Sequence, residues 1–400
     1  MSSVFEGLRV IDCSSFIAAP GAATVLSDFG ADVIKIEPPG AGDPARNISR
    51  LPGTPKADVN YSWLLDNRNK RGLALNLAKP EGLAVLQRFI KNADVFVTNY
   101  PLAVRKKLGI GYETFAALNE RLIYASFTGY GEVGEEAAKP GFDMTAWWAR
   151  SGLMDNVRID ANAAPARAIT GMGDHPSAIS LFAAIVVALY ERERSGRGMQ
   201  VGSSLIANGL WSNGFMVQAA LCGATFFPRP PRERLPNALT AYYRCRDHRW
   251  LVLTILNEDR QWPVLAKCLG LENLVDDPRF VKQADRFAHA TDLIAILDAA
   301  FATRDRNEWR RILTEAGLVF EIVAEAQDAV TDRQAIDNGF LVPFEGDTML
   351  TVDSPFFVGG KAKVKPRKAP ELGQHSDEIL REAGYDAAEI EHLRDGKVVA

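Results

Sequence analysis

The stretch "LRVIDCSSFIAAPGAATVLSDFGADVIKIE", Leu8 to Glu37, reads as a strand, a helix and a second strand in succession. Its first segment, Leu8–Cys13, is a mostly apolar run of strand length. Pro20–Gly30 begins with proline and ends with glycine, as helices commonly do. Asp32–Glu37 again has the composition of a buried strand. Such a unit predicts two parallel strands joined by a helix that covers one face of their sheet.

The same alternation continues toward residue 131. Strand-like segments recur at 73–77 ("LALNL"), 94–99 ("DVFVTN") and 122–131 ("LIYASFTGYG"), with helical segments opening at Pro80 and near Tyr112. We therefore predict an α/β fold, in which a large Rossmann-like domain with a parallel sheet is accompanied by a smaller α+β domain.

A proline-rich segment marks the predicted domain boundary. Residues 226–237, "FFPRPPRERLPN", contain four prolines and three arginines, a composition that no regular element tolerates. The sequence "AYYRCRDHRWLVLTIL" after it predicts a hairpin that turns at Asp247–His248. The predicted division is residues 1–225 for the first part of the large domain, 226–330 for the linker and small domain, and 331–400 for a segment that completes the large domain.

Composition and charge exclude several classes of partner. The 400 residues are 47% apolar and 24% charged, and the net charge of -4 does not favour nucleic acid or an anionic membrane. The apolar run Leu181–Tyr190 is shorter than the roughly 18–20 residues that span a bilayer. The first residues do not resemble a signal peptide, and the four cysteines are widely separated. We expect a cytoplasmic protein with no nucleic-acid or membrane partner.

Motifs for common cofactors are missing. The turn after the first strand lacks G-x-G-x-x-G, and no P-loop, G-x-S-x-G or zinc-spaced histidine pair occurs. Each of the five scattered histidines is more typical of a solvated or capping residue than of a ligand. These are His175, His248, His289, His375 and His392. We expect no metal and no bound cofactor.

The sequence "ITGMGDHPSAIS", residues 169–180, places an acid in a glycine turn. We predict a strand over residues 166–170, a turn over the glycines, and a helix whose first turn contains Pro176. Asp174 then lies at or beside the helix N-cap. As a cap it would contribute about 1 kcal/mol, whereas the same exposed position suits a covalent nucleophile, and the residues alone leave both functions open.

A second group of polar and aromatic residues precedes that turn, in "AAKPGFDMTAWWARSGLM". Its notable members are Lys139, Asp143, Trp147, Trp148 and Arg150. The segment is either a loop leading into a core helix or part of a pocket wall. We predict that the two adjacent tryptophans do not both face one core.

Six segments, in order, resemble the family III CoA-transferases, which include formyl-CoA transferase, carnitine CoA-transferase and the bile-acid-inducible proteins. They are "GLRVIDCSSFIAAPGAATVLSDFGADVIKIEPPGAGDPAR", "NRNKRGLALNLAKPEG", "FDMTAWWARSGLM", "ITGMGD", "ERERSGRGMQV" and "LGQHSDEIL". The resemblance covers nearly the whole chain. It implies an interlinked homodimer that transfers CoA from an acyl-CoA to a small carboxylic acid without an added cofactor. Asp174 matches the family's nucleophile, which passes through an aspartyl-acyl anhydride and an aspartyl-CoA thioester.

The resemblance also implies contacts with CoA. Ile17 matches a position where formyl-CoA transferase has Gln, Pro38 matches an Arg, and Ala78 matches a Lys, with Lys79 adjacent as a substitute. The family's glycine-rich lid is missing, which argues against formyl-CoA and oxalate as substrates. The residues implied to bind CoA or substrate are Ile17, Ala18, Pro38, Leu75, Asn76, Leu77, Ala78, Asn99, Tyr100, Pro101, Arg105, Lys107, Lys139 and Asp143.

Several alternatives stay open at this point. Related racemases carry "GHD" where this chain has "GFD", Gly141–Asp143, and Phe142 cannot move a proton. A CoA hydrolase and a non-catalytic CoA-binding protein are further alternatives. Four arginines could bind a second substrate carboxylate, with succinyl-CoA as a candidate donor, or simply be solvated. They are Arg150, Arg229, Arg232 and Arg234.

Overall fold

The computed structural model describes residues 3–400 and divides into two compact units. The larger unit comprises the residues up to 156, residues 166–223 and residues 334–400. The smaller unit comprises residues 157–165 and 224–333. Each unit has its own apolar core.

A six-stranded parallel sheet forms the centre of the larger unit. Its strands are β1 (Arg9–Asp12), β2 (Asp32–Glu37), β3 (Arg71–Ala74), β4 (Val95–Thr98), β5 (Ile123–Thr128) and β6 (Gln200–Ser204). Their spatial order is β3-β2-β1-β4-β5-β6, the order of a doubly wound Rossmann sheet. The predicted α/β fold with a parallel sheet is therefore confirmed.

Helices cover both faces of this sheet, with one apolar cluster on each side. The helices of this part of the chain are α1 (Ala18–Asp28), α2 (Tyr61–Asn67), α3 (Pro80–Ile90), α4 (Leu102–Leu108), α5 (Tyr112–Ala116), α6 (Leu153–Asn156), α7 (Asp174–Ser195), α8 (Leu205–Ser212) and α9 (Gly214–Leu221), of which α9 has no buried residue. Helices α1 and α7 pack closely because Gly21 has no side chain: a Cβ there would lie 3.1 Å from that of Ala178. This contact places the start of α7 beside the start of α1.

The smaller unit contains a three-stranded antiparallel sheet with helices around it. The strands are β7 (Tyr242–Arg244), β8 (Trp250–Leu253) and β9 (Phe320–Ile322). The predicted hairpin joins β7 to β8, and His248 takes a positive φ of 63° in its turn. The helices are α10 (Glu258–Leu269), α11 (Gln283–Ala288), α12 (Ala290–Phe301), α13 (Arg306–Glu315) and α14 (Ala326–Ala329).

The last part of the chain returns to the larger unit. After α15 (Arg333–Asp337) come the paired strands β10 (Leu341–Pro343) and β11 (Leu350–Val352), then α16 (Ser376–Glu382) and α17 (Ala387–Asp395). Val399 forms an antiparallel bridge with Leu75, just beyond β3. The C-terminal residues thereby support the edge of the sheet where the predicted CoA-binding segments lie.

One local prediction was wrong. Residues 164–169 are irregular, so the strand predicted over 166–170 does not form. Helix α7, whose run Leu181–Tyr190 is apolar throughout, is buried on one side only, since Val187 and Tyr190 are about two-thirds exposed at 67% and 68%. A helix that is apolar on every side is normally covered on every side.

Within residues 3–400, no helix is long and apolar enough to cross a membrane.

Candidate active site

The order of the sheet creates a crevice between β1 and β4. The chain leaves these two strands toward opposite sides of the sheet, and ligands of doubly wound folds bind at this switch point, outside the carboxyl ends of the strands. The two strand ends are joined here by Asn99: its side chain accepts the Ser15 N–H at 2.8 Å and donates to the Ser15 carbonyl at 2.7 Å. Asn99 therefore fixes the turn that leads into α1.

Phe16 holds that turn in a strained conformation. Its φ of 66° lies in the left-handed region, which is rare for a bulky residue and is found mainly at functional sites. The Phe16 N–H donates to Asp43 at 3.0 Å, and the Asp43 carboxylate lies 2.8 Å from the buried Lys35 ammonium. A buried ion pair thus secures the backbone at the switch point. The sequence contained no signal for this strain.

The start of α7 lies at the same edge, because α7 precedes the parallel strand β6 and runs antiparallel to it. In the glycine turn before it, Gly171 has a φ of 84° and lies against Ile17. Gly173 packs so closely on the Trp147 ring that a Cβ would lie 2.2 Å away. Only glycine fits at Gly173, and the turn brings the backbone before Asp174 against the tryptophan.

The two tryptophans belong to a single core, which corrects the prediction that they would not. Their rings are stacked with centroids 5.5 Å apart, and both are buried in the cluster between α1, α7 and the sheet. The Trp148 indole N–H donates to the Ala166 carbonyl at 2.6 Å. A π-helix over Asp143–Ala149 turns both side chains inward, an arrangement that helical or strand periodicity does not predict.

Asp143 caps α7. Its two carboxylate oxygens each lie 3.2 Å from the Gly173 nitrogen and accept its N–H. The N-cap residue Gly173 has no side chain that could form a capping hydrogen bond. Burial raises the pKa of Asp143, while the N–H groups of Gly173, Gly171 and Asp174 act in the opposite direction. The Gly173 N–H group at the start of α7 is therefore already bonded to Asp143, an acid that lies 30 residues before Gly173 in the chain.

Asp174 is the first residue of α7 and is half-buried. Its carboxylate makes no hydrogen bond to any part of the chain that the structure describes, so it does not act as a cap. Burial raises the pKa of Asp174 to about 7, with a further contribution from the nearby Asp143 charge, while His175 opposes the rise. The structure thus assigns the capping role to Asp143 and leaves the Asp174 carboxylate without a structural hydrogen bond.

His175 is the third titratable residue at the start of α7, with Asp143 and Asp174. The sequence did not indicate it as a site residue, because the histidines are scattered along the chain. Its Nε2 donates to Asp66 Oδ1 at 3.1 Å, and Asp66 is buried at the end of α2. The one available signal was that His175 directly follows Asp174. Nothing in the local sequence indicated Asp66, because the two residues are 109 positions apart.

The segments predicted to contact CoA lie along the same edge of the sheet. Ile17 and Ala18 follow β1, Pro38 follows β2, residues 75–78 follow β3, and residues 99–101 follow β4. Because the strands are parallel, their carboxyl ends form one continuous edge. Ile17, Ala18 and Leu75 are buried and the other residues are partly or fully exposed, so the edge offers mainly backbone groups and small side chains.

Among the predicted cations, the side chains differ in how freely they could meet a phosphate. Arg105 is buried, donates to the Tyr100 carbonyl at 2.8 Å and pairs with Glu132 at 2.6 Å. Lys139 pairs with Glu136 at 2.7 Å, as Arg150 does at 3.0 Å. Lys79 donates to the Gly396 carbonyl. Lys107 is exposed on α4, and the described residues contain no ion-pair partner for it.

Two of the three arginines of the proline-rich segment, in the smaller unit, have partners of their own. Arg232 binds Asp298 through two hydrogen bonds of 2.5 and 2.6 Å and also donates to the Tyr242 carbonyl. Arg229 donates to the Arg158 carbonyl at 2.5 Å. The interpretation of Arg232 as a clamp for a substrate carboxylate is therefore wrong, because Asp298 already occupies its guanidinium group.

Metal ligation is not indicated: residues 3–400 contain no cluster of three or more His, Cys, Asp or Glu side chains that could bind an ion. The fold and the site define an α/β protein in which a half-buried carboxylate without a structural hydrogen bond, Asp174, lies at the carboxyl edge of a doubly wound sheet. Residues 5–376 match the sequence model of CoA-transferase family III. The chain belongs to CoA-transferase family III.

Similar proteins agree with this assignment. The chain is 34% identical to (R)-2-hydroxy-4-methylpentanoate CoA-transferase of Clostridioides difficile, over 99% of both chains. It is 32% identical to cinnamoyl-CoA:phenyllactate CoA-transferase of Clostridium sporogenes, over 99% of this chain and 97% of that one. The crystal structure of a CAIB/BAIF family protein from Brucella suis superposes with a TM-score of 0.86 at 25% identity, covering 96% of this chain and all of that chain. The protein is thus a CoA-transferase.

Proposed function

We propose that the protein transfers CoA between carboxylic acids through covalent intermediates on Asp174. The main support is that the two acids at the start of α7 differ in their contacts. Asp143 accepts the helix N–H group at Gly173, while Asp174, in the glycine turn, has no bonding partner among residues 3–400. A half-buried carboxylate without a structural bond costs stability, and such a cost is typical of a residue kept for chemistry.

In the first half of the reaction, an ionised Asp174 oxygen attacks the thioester carbonyl of the donor acyl-CoA. The C–S bond breaks and CoA leaves as a thiolate, which gives a mixed anhydride between Asp174 and the acyl group. The thiolate then attacks the aspartyl carbonyl of that anhydride. This step releases the donor acid as a carboxylate and leaves CoA as a thioester on Asp174.

The second half runs the same chemistry in reverse. The acceptor carboxylate attacks the aspartyl thioester and expels the thiolate, forming a second anhydride. The thiolate attacks the acceptor's carbonyl, which yields the new acyl-CoA and restores the Asp174 carboxylate. No net proton or electron is required, so we propose that the reaction needs no cofactor beyond the CoA carried by the substrates. The reactants must be held in line and water excluded, since water hydrolyses anhydrides.

We further propose that the exchanged acids have apolar side chains. Phe142, which is 56% exposed, meets the strained Phe16 edge to face at 5.5 Å, beside the acids of the site. The nearby Lys139 and Arg150 charges are already shared by Glu136, and Met172 exposes apolar surface in the glycine turn. The two similar enzymes named above act, by their names, on a 4-methylpentanoate and on phenyl-substituted acids. These observations favour an apolar acid over the dicarboxylate suggested by the arginines.

An exchange assay tests both the activity and this preference. Acyl-CoA is incubated with the protein and with pairs of acids of similar size, one ending in a phenyl or isopropyl group and one in a carboxylate. New CoA thioesters are then measured by mass. We expect the apolar acid to be converted at least about tenfold faster, because leaving a second carboxylate without a partner in an apolar site costs a few kcal/mol. Faster conversion of succinate or glutarate would contradict the proposed substrate class.

We propose that CoA lies along the carboxyl edge of β1–β4, with Lys107 as a cation for its phosphates. Lys107 is exposed and follows the Asn99–Pro101 segment on α4. Lys107→Ala should raise KM for acyl-CoA about three- to tenfold with a smaller change in kcat, the pattern of lost ground-state binding. Lys106→Ala, also on exposed α4, is the matched control. If both substitutions changed KM equally, the effect would come from general surface charge, and the specific role proposed for Lys107 would be contradicted.

The alternatives have less support. A racemase of this architecture needs a proton-transferring side chain beside Asp143, and the residue there is Phe142. A hydrolase would require water at the anhydride, and the assay above detects it as free acid formed without a new thioester.

We propose that the enzyme acts as a homodimer. Apolar side chains on α7, α8 and α9 are exposed to an extent that exceeds what isolated surface residues show. They are Val187, Tyr190, Leu210, Trp211, Phe215 and Leu221. A second copy of the chain would cover this surface and explain why α7 is apolar on all sides. Interlinking of the two chains is an expectation from the family resemblance.

A further inference from the structure

His175 lies in a position that its sequence neighbours do not require. It is the second residue of α7, directly after Asp174, and its side chain is 45% exposed. Its ring packs against Gly171, where a Cβ would lie 2.9 Å from the ring Cε1 and 3.1 Å from Nδ1. A side chain at Gly171 would therefore displace the imidazole. The glycine turn holds His175 at the edge of the site.

Asp66 fixes the other side of the imidazole. Its carboxylate lies 3.1 Å from Nε2, which carries the proton because an ionised carboxylate only accepts. Asp66 is 4% exposed, and its backbone carbonyl accepts hydrogen bonds from Thr24 at 2.5 Å and from Lys70 at 2.9 Å. The support for His175 is thus buried and bonded on both its side chain and its main chain.

A chain of alternating charges leads from the core to Asp174. The Lys70 ammonium is fully enclosed and binds Asp12 at 2.9 Å as well as the Asp66 carbonyl. Asp66 binds His175, and His175 adjoins Asp174. Acidic and basic side chains therefore alternate in the order Asp12, Lys70, Asp66, His175 and Asp174. Each charge in such a chain is flanked by charges of the opposite sign.

We propose that His175, held by Asp66, is a positioning residue that keeps the Asp174 carboxylate ionised in a site where two other acids oppose its charge. The proposal rests on the covalent role of Asp174 proposed above and adds to it the group that maintains its charge. The acids concerned are Asp143, which caps α7, and Asp66 itself. His175 is the cationic neighbour of Asp174. It is held by Asp66, which is itself bound by Lys70.

The electrostatics agree in direction. Burial lowers the pKa of His175, but Asp66, Asp174 and Asp143 together raise it above its usual value. His175 in turn lowers the pKa of Asp174, against burial and against Asp143 and Asp66. Removing the imidazolium leaves burial, Asp143 and Asp66, each of which raises the pKa of Asp174. A purely structural role for His175 would not change the ionisation of its neighbour.

Three variants test the proposal. His175→Gln removes the charge and keeps a polar side chain, His175→Lys restores a charge, and His289→Gln is the matched control at an exposed histidine of the smaller unit. The primary measurement is the titration of the Asp174 carboxyl carbon in free protein labelled with carbon-13 aspartate, with Asp174→Asn supplying the assignment. This measurement does not depend on any activity, so it can fail or succeed independently of the proposed function.

We expect His175→Gln to raise the pKa of Asp174 by about one unit, the size of effect that an adjacent opposite charge has on a carboxyl group. The loss of kcat/KM should then reach about tenfold on the acidic limb of the pH profile and largely disappear above about pH 9. His175→Lys should restore the wild-type titration, and His289→Gln should leave it unchanged. An unmoved Asp174 titration, or a loss of kcat/KM that is equal at every pH, would overturn the proposal.

Discussion

Replacing Asp174 with Asn should leave a folded protein that transfers CoA at least roughly a thousandfold more slowly. Asn has nearly the same size as Asp, so the contacts at the start of α7 remain, but its amide oxygen cannot attack a thioester as a carboxylate does. Because Asp143 rather than Asp174 accepts the helix N–H group, the substitution removes no structural hydrogen bond that the structure records. Steady-state exchange and thermal unfolding of the same samples measure the two effects.

The stability of this variant has a predicted sign. The pKa of Asp174 is raised to about 7 in the folded protein, from a usual value near 3.8. Between these values the folded state holds a proton that the unfolded state has lost, so Asp174 contributes less to stability as pH rises through this window. The Asn variant lacks that decline and should be at least as stable as wild type at about pH 8.

A matched control comes from Asp386, the true N-cap of α17, whose side chain accepts the Glu389 N–H at 2.9 Å. Asp386→Asn should change neither exchange nor, by more than a few tenths of a kcal/mol, stability, because Asn and Asp cap helices almost equally well. If Asp174→Asn behaved like this control and kept full activity, Asp174 would have no covalent role.

The second large effect is the pH dependence of the wild-type enzyme. In the proposed mechanism the attack requires ionised Asp174, and burial together with the Asp143 charge raises the pKa of Asp174 to about 7. The value of kcat/KM should therefore fall about tenfold per pH unit below neutrality, by roughly a hundredfold between pH 7 and pH 5. The acidic limb belongs to the coupled group of Asp174, Asp143 and His175 rather than to one carboxyl alone.

Measuring kcat/KM for one acyl-CoA from pH 4.5 to 9 (a range of about 4.5 units) checks this dependence, with unfolding followed over the same range to separate inactivation from titration. A profile that stays flat down to about pH 5, as a carboxyl group with an ordinary pKa near 4 would give, would show that the nucleophile is solvated in the working enzyme. That result would contradict the environment assigned to Asp174, though not its identity as the nucleophile.

The amino-acid pattern predicted those strands and helices whose ends are determined by nearby residues. Leu8–Cys13, Pro20–Gly30 and Asp32–Glu37 became β1, α1 and β2, within a few residues, because strand length, proline and glycine act over short distances. The predicted strand over 166–170 failed for a related reason: its apolar residues have no neighbouring strand to pair with.

The contacts of the site were harder to predict, because they join residues that are far apart in the sequence. Asp174 was predicted from its glycines and its family resemblance, but the acid that caps its helix lies 30 positions before Gly173 and the acid that holds His175 lies 109 positions before that histidine. Such contacts depend on strand order and helix packing. The stacked tryptophans likewise required the π-helix at Asp143, since neither regular helical nor strand spacing places adjacent side chains together.

Trapping the anhydride tests the covalent role of Asp174 most directly. Hydroxylamine added to protein and acyl-CoA should convert the activated carboxyl group into a hydroxamate, which is identified by peptide mass after trypsin digestion. Asp143 and Asp174 fall in different tryptic peptides, since Arg150, Arg158 and Arg167 lie between them. We expect the hydroxamate on Asp174, only when acyl-CoA is present, and not in Asp174→Asn. A hydroxamate on Asp143, or none under conditions of active exchange, would contradict the account.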